Sequence, residues 1–235
     1  MKRLALFSAL ACAALAPAYA AQLTILAPKD KQVLQGTVKF QVRTVLDEQE
    51  RFLTSPEMEI QDEYGKKVLT LTAQRDPATG LYSVDWDTTR LPGGEKTKDG
   101  LYFATVKYRT IQLGRAIDAS EELTLGIRNS KVRPAFMDVV VEKVEDPEPK
   151  PATAGEEPEL PSYDLTVTVL DSKRKPVPGV RISIKAEGLE LDDDAEITDS
   201  DGEAIITVQA EEPGQAKLTL STEGLPAAVR FLDFR

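Results

Sequence analysis

The 235 residues hold 29 basic and 39 acidic side chains, a formal charge of −10. That balance disfavours nucleic acid as a partner, because binding it needs a basic face to displace counterions from phosphate. Histidine is absent and Cys12 is the single cysteine; no imidazole and at most one thiol leave no imidazole or thiolate zinc site, no Ser-His or Cys-His pair and no disulfide within the chain.

Cys12 falls inside a segment that reads as a leader. Residues 1–20 combine a basic start (Lys2, Arg3), an apolar run from Leu4 to Leu15 and Ala18-Tyr19-Ala20 before Ala21, the three-part pattern of a secretory signal peptide. Ala9-Leu10-Ala11-Cys12 offers a lipoprotein processing site as the alternative, although Ala9 stands where a larger aliphatic residue is usual. The apolar run is shorter than the ~20 residues of a spanning helix, and no later stretch comes close. An exported chain is therefore expected, in the periplasm, at the cell surface or outside the cell. About 215 residues remain, enough for two modest domains.

Beyond Ala21 the dominant period is two, as in half-buried strands, whose successive side chains point to opposite faces. Val38, Phe40 and Val42 alternate with Lys39, Gln41 and Arg43; Tyr82, Val84 and Trp86 alternate with Ser83, Asp85 and Asp87. The pattern returns at Tyr102, Ala104, Val106 and Tyr108 and at Leu123, Leu125 and Ile127. Turn signals at Tyr64-Gly65-Lys66, Asp76 to Gly80, Pro92-Gly93-Gly94 and Asp99-Gly100 separate the runs. About seven short strands punctuated this way suit an antiparallel sandwich over residues 21–144.

Residues 145–161 carry five prolines, six acids and one lysine. Such a stretch buries too little apolar surface to offset the entropy of ordering it, so it reads as an extended linker. Charge supports a boundary there: residues 21–144 hold 18 acids and 18 bases, whereas 162–235 hold 15 acids and 8 bases. After the linker, alternation resumes at Leu165, Val167 and Val169, at Val180, Ile182 and Ile184, and through Ala204-Ile206-Val208, Ala216-Leu218-Leu220 and the stretch around Val229 and Phe231, with turns at Lys175 to Gly179, Asp201-Gly202 and Pro213-Gly214. A sandwich of only residues 162–235, with no disulfide or metal, lies near the lower size limit for independent stability.

Both halves resemble families of bacterial immunoglobulin-like modules. The first is similar to surface-protein repeats that open with an apolar-Pro turn and a Gly-led second strand, here Ile25 to Pro28 and Gln35 to Val38, and that carry Trp86-Asp87-Thr88-Thr89, Leu91-Pro92 and Asp99-Gly100-Leu101-Tyr102. The second resembles invasin or intimin domains at Val169-Leu170-Asp171, Pro176 to Val180, Thr198 to Ala204 and Pro213-Gly214. The resemblance implies an all-β protein of two Ig-like sandwiches, of the kind that act as stalks, spacers or adhesion units in the envelope; it implies no chemistry.

Several clusters invite a sharper reading. Asp192, Asp193, Asp194, Asp199 and Asp201 supply oxygens of the kind calcium takes, but their spacing is not that of an EF-hand loop, and a solvated loop is preferred. Asp85 and Asp87 share the wet face of a strand, where a catalytic carboxylate pair is not expected. Tyr82, Trp86, Tyr102 and Tyr108 fall on apolar faces and are expected in the core, with the Tyr102 hydroxyl tying a strand corner. Lys173-Arg174-Lys175 has fewer charges than a lipid-binding cluster and reads as a turn. No cofactor is expected. The function expected is a non-enzymatic structural or interaction protein of the bacterial envelope whose partner is another envelope protein or surface component, with a carbohydrate-binding or adhesion module, or an accessory subunit of an enzyme or secretion complex, as alternatives.

Overall fold

The computed structural model describes residues 22–45, 51–52, 54–112, 115–144, 160, 162–189, 191, 193–210 and 212–234. Residues 1–21, with Cys12, and Asp192 lie outside the described residues. Every regular element among them is a strand, as period-two patterning and frequent turn residues require.

In the first sandwich, one sheet has the order β1 (Gln22–Ala27), β3 (Thr37–Val45), β8 (Tyr82–Asp87), β7 (Gln74–Arg75). The facing sheet runs β2 (Gln32–Leu34), β10 (Arg115–Ile127), β9 (Gly100–Gln112), β5 (Glu57–Asp62), β6 (Lys67–Thr72), with β4 (Arg51–Phe52) paired to the far end of β9. Pairing is antiparallel except that β2 lies parallel to β10, an exception to the antiparallel expectation. The first, second and fifth long strands (β1, β3, β8) with the two-residue β7 on one side, and the last, sixth, third and fourth (β10, β9, β5, β6) on the other, make the immunoglobulin-like arrangement.

The alternating apolar residues meet between these sheets. Trp86 is 2% exposed and packs against Phe40 (ring centroids 6.0 Å apart) and Tyr102 (6.5 Å, edge-on). Tyr108 is buried beside them and Tyr82 is half-buried against the same cluster, so the aromatic set is core rather than an exposed row. The Tyr102 hydroxyl donates to the Lys98 carbonyl at 3.0 Å, tying the strand corner as expected.

The second sandwich places β11 (Phe136–Val144), β12 (Ser162–Leu170) and β15 (Glu203–Gln209) in one sheet, and β14 (Ala195–Ile197), β13 (Arg181–Glu187), β16 (Gly214–Ser221) and β17 (Ala228–Phe234) in the other. Its core is aliphatic: Leu165, Val167, Val169, Ile182, Ile184, Leu218, Leu220 and Leu232, with Phe234 the large aromatic. Of the terminal strand's apolar residues, Leu232 and Phe234 turn inward, whereas Val229 and Phe231 face solvent.

The division at 144 and 145 requires correction. Residues 136–144, assigned from sequence to the first module, pair with β12 along their whole length, from Phe136 with Leu170 to Val144 with Ser162. Met137, Val139 and Val141 pack on the second core. Residues 145–161 therefore join two neighbouring strands of one sheet, and the chain passes between sandwiches at 128–135. The second sandwich gains its first strand from ahead of the proline-rich segment, which removes the size problem posed by residues 162–235 alone.

Candidate functional site

The junction between the sandwiches sets the turn at Gly179 against the end of β10. Gly179 has φ +67°, and a Cβ there would lie 2.2 Å from the Ile127 carbonyl oxygen, an impossible approach. Opposite it, a Cβ on Gly126 would meet the Gly179 carbonyl at 3.2 Å and Ile197 Cγ2 at 3.1 Å. Gly179 does make the expected turn, but it also lets the ends of the two sandwiches touch backbone to backbone.

Polar contacts ring that contact. Lys31, only 7% exposed, is held at φ +54° by the turn after β1 and reaches across to Asp193 (2.7 Å) and Glu196 (2.8 Å). A buried ammonium without partners would be costly, and two carboxylates offset that cost. Burial alone would lower the Lys31 pKa, but the hydrogen bonds to Asp193 and Glu196 outweigh it and the net shift is upward. The Ser200 N–H donates to Glu63 Oε2 at 2.7 Å, and the Tyr64 and Ser200 hydroxyls lie 3.4 Å apart.

The motifs that carry the resemblance brace this end of the first sandwich. Thr88 Oγ1 donates to the Gly36 carbonyl at 2.8 Å, and Asn129 Nδ2 donates to the Thr88 carbonyl at 2.7 Å. Both Asp99 carboxylate oxygens accept from the departing chain, from the Asn129 N–H at 2.7 Å and the Ser130 N–H at 3.0 Å. Trp86-Asp87-Thr88-Thr89 and Asp99-Gly100-Leu101-Tyr102 thus fix the direction in which the chain leaves for the second sandwich. Burial and nearby Asp62, Glu63 and Asp99 push the Tyr102 hydroxyl up to about 12.

Beside the junction a cleft of about 620 Å³ opens, lined by Lys31, Gln61, Phe103, Glu122, Asp193 and Glu196 among others. Phe103 is 38% exposed in it. The outer face of the β5–β9–β10 sheet forms one wall and the second sandwich the other. Its character is polar and acidic, with one aromatic face.

The sequence-predicted acidic residues are dispersed. Asp193 serves Lys31, Asp194 lies 3.5 Å from Arg181, and Asp199 Oδ1 accepts the N–H groups of Asp201 and Glu203, both at 2.9 Å. Among the described residues no three acidic side chains gather to hold a metal ion. Asp87 bonds its own turn through the Thr89 N–H and hydroxyl, which hold its carboxyl below the usual range, and Asp85 is exposed opposite Lys39. Arg174 sits over the Phe136 ring, 3.8 Å from its centroid, and Asp171 accepts the N–H groups of Lys173 and Lys175, so that basic run is a braced turn. Sequence reasoning missed Lys31 and Glu63; nothing local distinguishes either from a solvated turn residue.

The sequence matches no protein-family model and no curated protein. Among solved structures it is similar to the D00–D0 domain of intimin, with 16% identity, 91% of this chain and 100% of that chain covered and a TM-score of 0.33. The β-glucuronidase of Parabacteroides merdae is 15% identical over 91% of this chain, with a TM-score of 0.37, and this chain spans 24% of its length. CopC of Methylosinus trichosporium OB3b is 16% identical over 47% of this chain and 98% of that one, with a TM-score of 0.31. The immunoglobulin-like assignment itself rests on the strand order and the tyrosine corner. Among the described residues no helix is long and apolar enough to cross a membrane.

Proposed function

We propose that this chain is an exported, non-enzymatic component of the bacterial envelope that holds another envelope protein at a set distance and angle. The observation that carries this reading is the junction: two sandwiches locked end to end by the Gly126–Gly179 contact, the Lys31 clamp and the Glu63–Ser200 bond. A pair of modules used only for reach tolerates a flexible joint, whereas one that positions a partner benefits from a stiff joint. The buried aromatics Trp86, Tyr102 and Tyr108 weigh against a sugar-stacking platform on the sheet. Export itself rests on residues 1–20.

Cross-linking in native envelopes followed by capture of the chain tests the proposal. A protein that co-purifies with wild type, and is recovered several-fold less with Gly179→Val, supports positioning through the junction. Recovery of the chain alone, or of a glycan in place of a protein, overturns it. Hydrolysis of glycan or peptide by the purified chain, abolished by substituting a single carboxylate, would also overturn it.

A further inference from the structure

Strand β10 is paired residue for residue with β9, from Ile127 with Gly100 to Arg115 with Gln112. Its other side is covered only near one end. β2 reaches Leu125 to Ile127, and the turn before β2 takes one residue more: the Lys31 N–H donates to the Thr124 carbonyl and the Thr124 N–H to Asp30 Oδ1, both at 2.7 Å.

Those two bonds fix the phase of the strand. The N–H and C=O of one strand residue point to the same side, and the side alternates along the chain. With Thr124 facing away from β9, Glu122, Ser120, Asp118 and Ala116 must face away too. Among the described residues no strand pairs with them, so β10 presents a straight run of open donors and acceptors, a template for another strand.

We infer that this edge takes the same edge of a second copy of the chain, antiparallel, about a two-fold axis through Asp118. An isologous contact requires the strand to be complementary to itself, and the order Arg115-Ala116-Ile117-Asp118-Ala119-Ser120-Glu121 is complementary in this register. Arg115 of each copy falls opposite Glu121 of the other, Ile117 opposite Ala119, and Ala116 opposite Ser120. The pairs with outward backbone groups (Ala116 with Ser120, Asp118 with Asp118) then face each other, as an antiparallel ladder demands. Moving the axis to Ala119 sets Ile117 against Glu121 and Arg115 against Leu123, and the charge match is lost.

The like charges at the axis are already balanced. Arg109 on β9 grips the Asp118 carboxylate through Nε and through Nη2, the latter at 2.9 Å from Oδ2, so each copy brings a neutral pair to the two-fold axis. Arg115, Ile117 and Glu121 lie on the core-facing side of the sheet but are exposed, and Ile117 is 38% exposed; pairing covers it. The contact is small, and such interfaces form weak, concentration-dependent dimers. Cross-strand ion pairs and backbone bonds supply its specificity.

Sedimentation of the full exported chain over a range of concentrations tests this directly, with circular dichroism confirming the fold of each variant. The mass should rise with concentration towards a doubling. Glu121→Arg and Arg115→Glu, each placing like charges opposite one another, should abolish the doubling; the double variant should restore it. A wild-type chain that stays monomeric throughout, which would leave the edge for a different protein or for solvent, overturns the inference. So do single variants that dimerise as wild type does, or a double variant that does not recover. Hydrogen exchange on wild type gives a reading free of mutation: the amides of Ala116, Asp118 and Ser120 should gain protection as concentration rises, and unchanged exchange overturns the inference.

Discussion

The two sandwiches reach the same architecture through different interiors. The first centres on Trp86, Phe40, Tyr102 and Tyr108, with polar braces at Thr88, Asp99 and Asn129. The second is a mesh of Val, Ile and Leu in which Phe234, edge-on to Tyr163 at 5.2 Å, is the large ring. An interior built on a few large side chains concentrates its stability, because each ring fills space that its neighbours cannot recover. One built on many aliphatic side chains spreads the same burial over positions that tolerate single changes of similar volume. Charge divides them as well: most of the excess acid lies beyond residue 135.

The largest expected effect tests where the second sandwich begins. A fragment of residues 162–235 should lack a cooperative fold, whereas one starting at residue 130 should melt cooperatively by circular dichroism. Cleavage within residues 145–161 should leave the two pieces together on a sizing column, because β11 and β12 remain paired. Separation of the pieces without denaturant would restore the boundary expected from sequence.

The contrast of interiors is sharpened by two substitutions. Trp86→Ala should cost roughly 3–5 kcal/mol and Ile182→Val roughly 0.5–1.5 kcal/mol, measured by denaturant titration. Equal costs would remove the distinction. The junction comes next. Gly179→Ala forces a non-glycine residue into positive φ, of order 1–3 kcal/mol, and adds the clash with Ile127. Calorimetry should then resolve two transitions where wild type shows one.

Smaller effects follow from charge. The raised Lys31 pKa means that its clamp contributes fully below the ordinary lysine value of 10.5 and is lost as pH rises through the folded value. Coupling between the sandwiches should weaken in that alkaline window, and Lys31→Met should remove the Lys31 part of that dependence. Glu59 behaves oppositely. Hydrogen bonds from Gln61, Lys107 and Lys67 hold it at about 2, so its contribution is present above 4.5 and fades as pH falls towards 2. As small as the Ile182→Val change is that of Tyr102→Phe, about 0.5–1.5 kcal/mol for the lost bond to Lys98, confined to the first sandwich.

Period-two alternation at Phe40, Tyr102, Val167 and Leu218 determined the strands and the inward faces by itself, because a strand's two faces are written in adjacent residues. Turn chemistry at Asp76, Gly179 and Gly202 was legible for the same reason: φ and local hydrogen bonds are properties of a few consecutive residues. The partner of residues 136–144 was not, since Met137, Val139 and Val141 alternate identically whichever sheet receives them, and the proline-rich stretch reports its own composition rather than what its flanks pair with. Lys31 meeting Asp193 and Glu196, and Gly179 meeting Ile127, were equally hidden. Those contacts join residues far apart in the chain, and only the packing of one sandwich end against the other decides which polar groups are buried together and where a Cβ has no room.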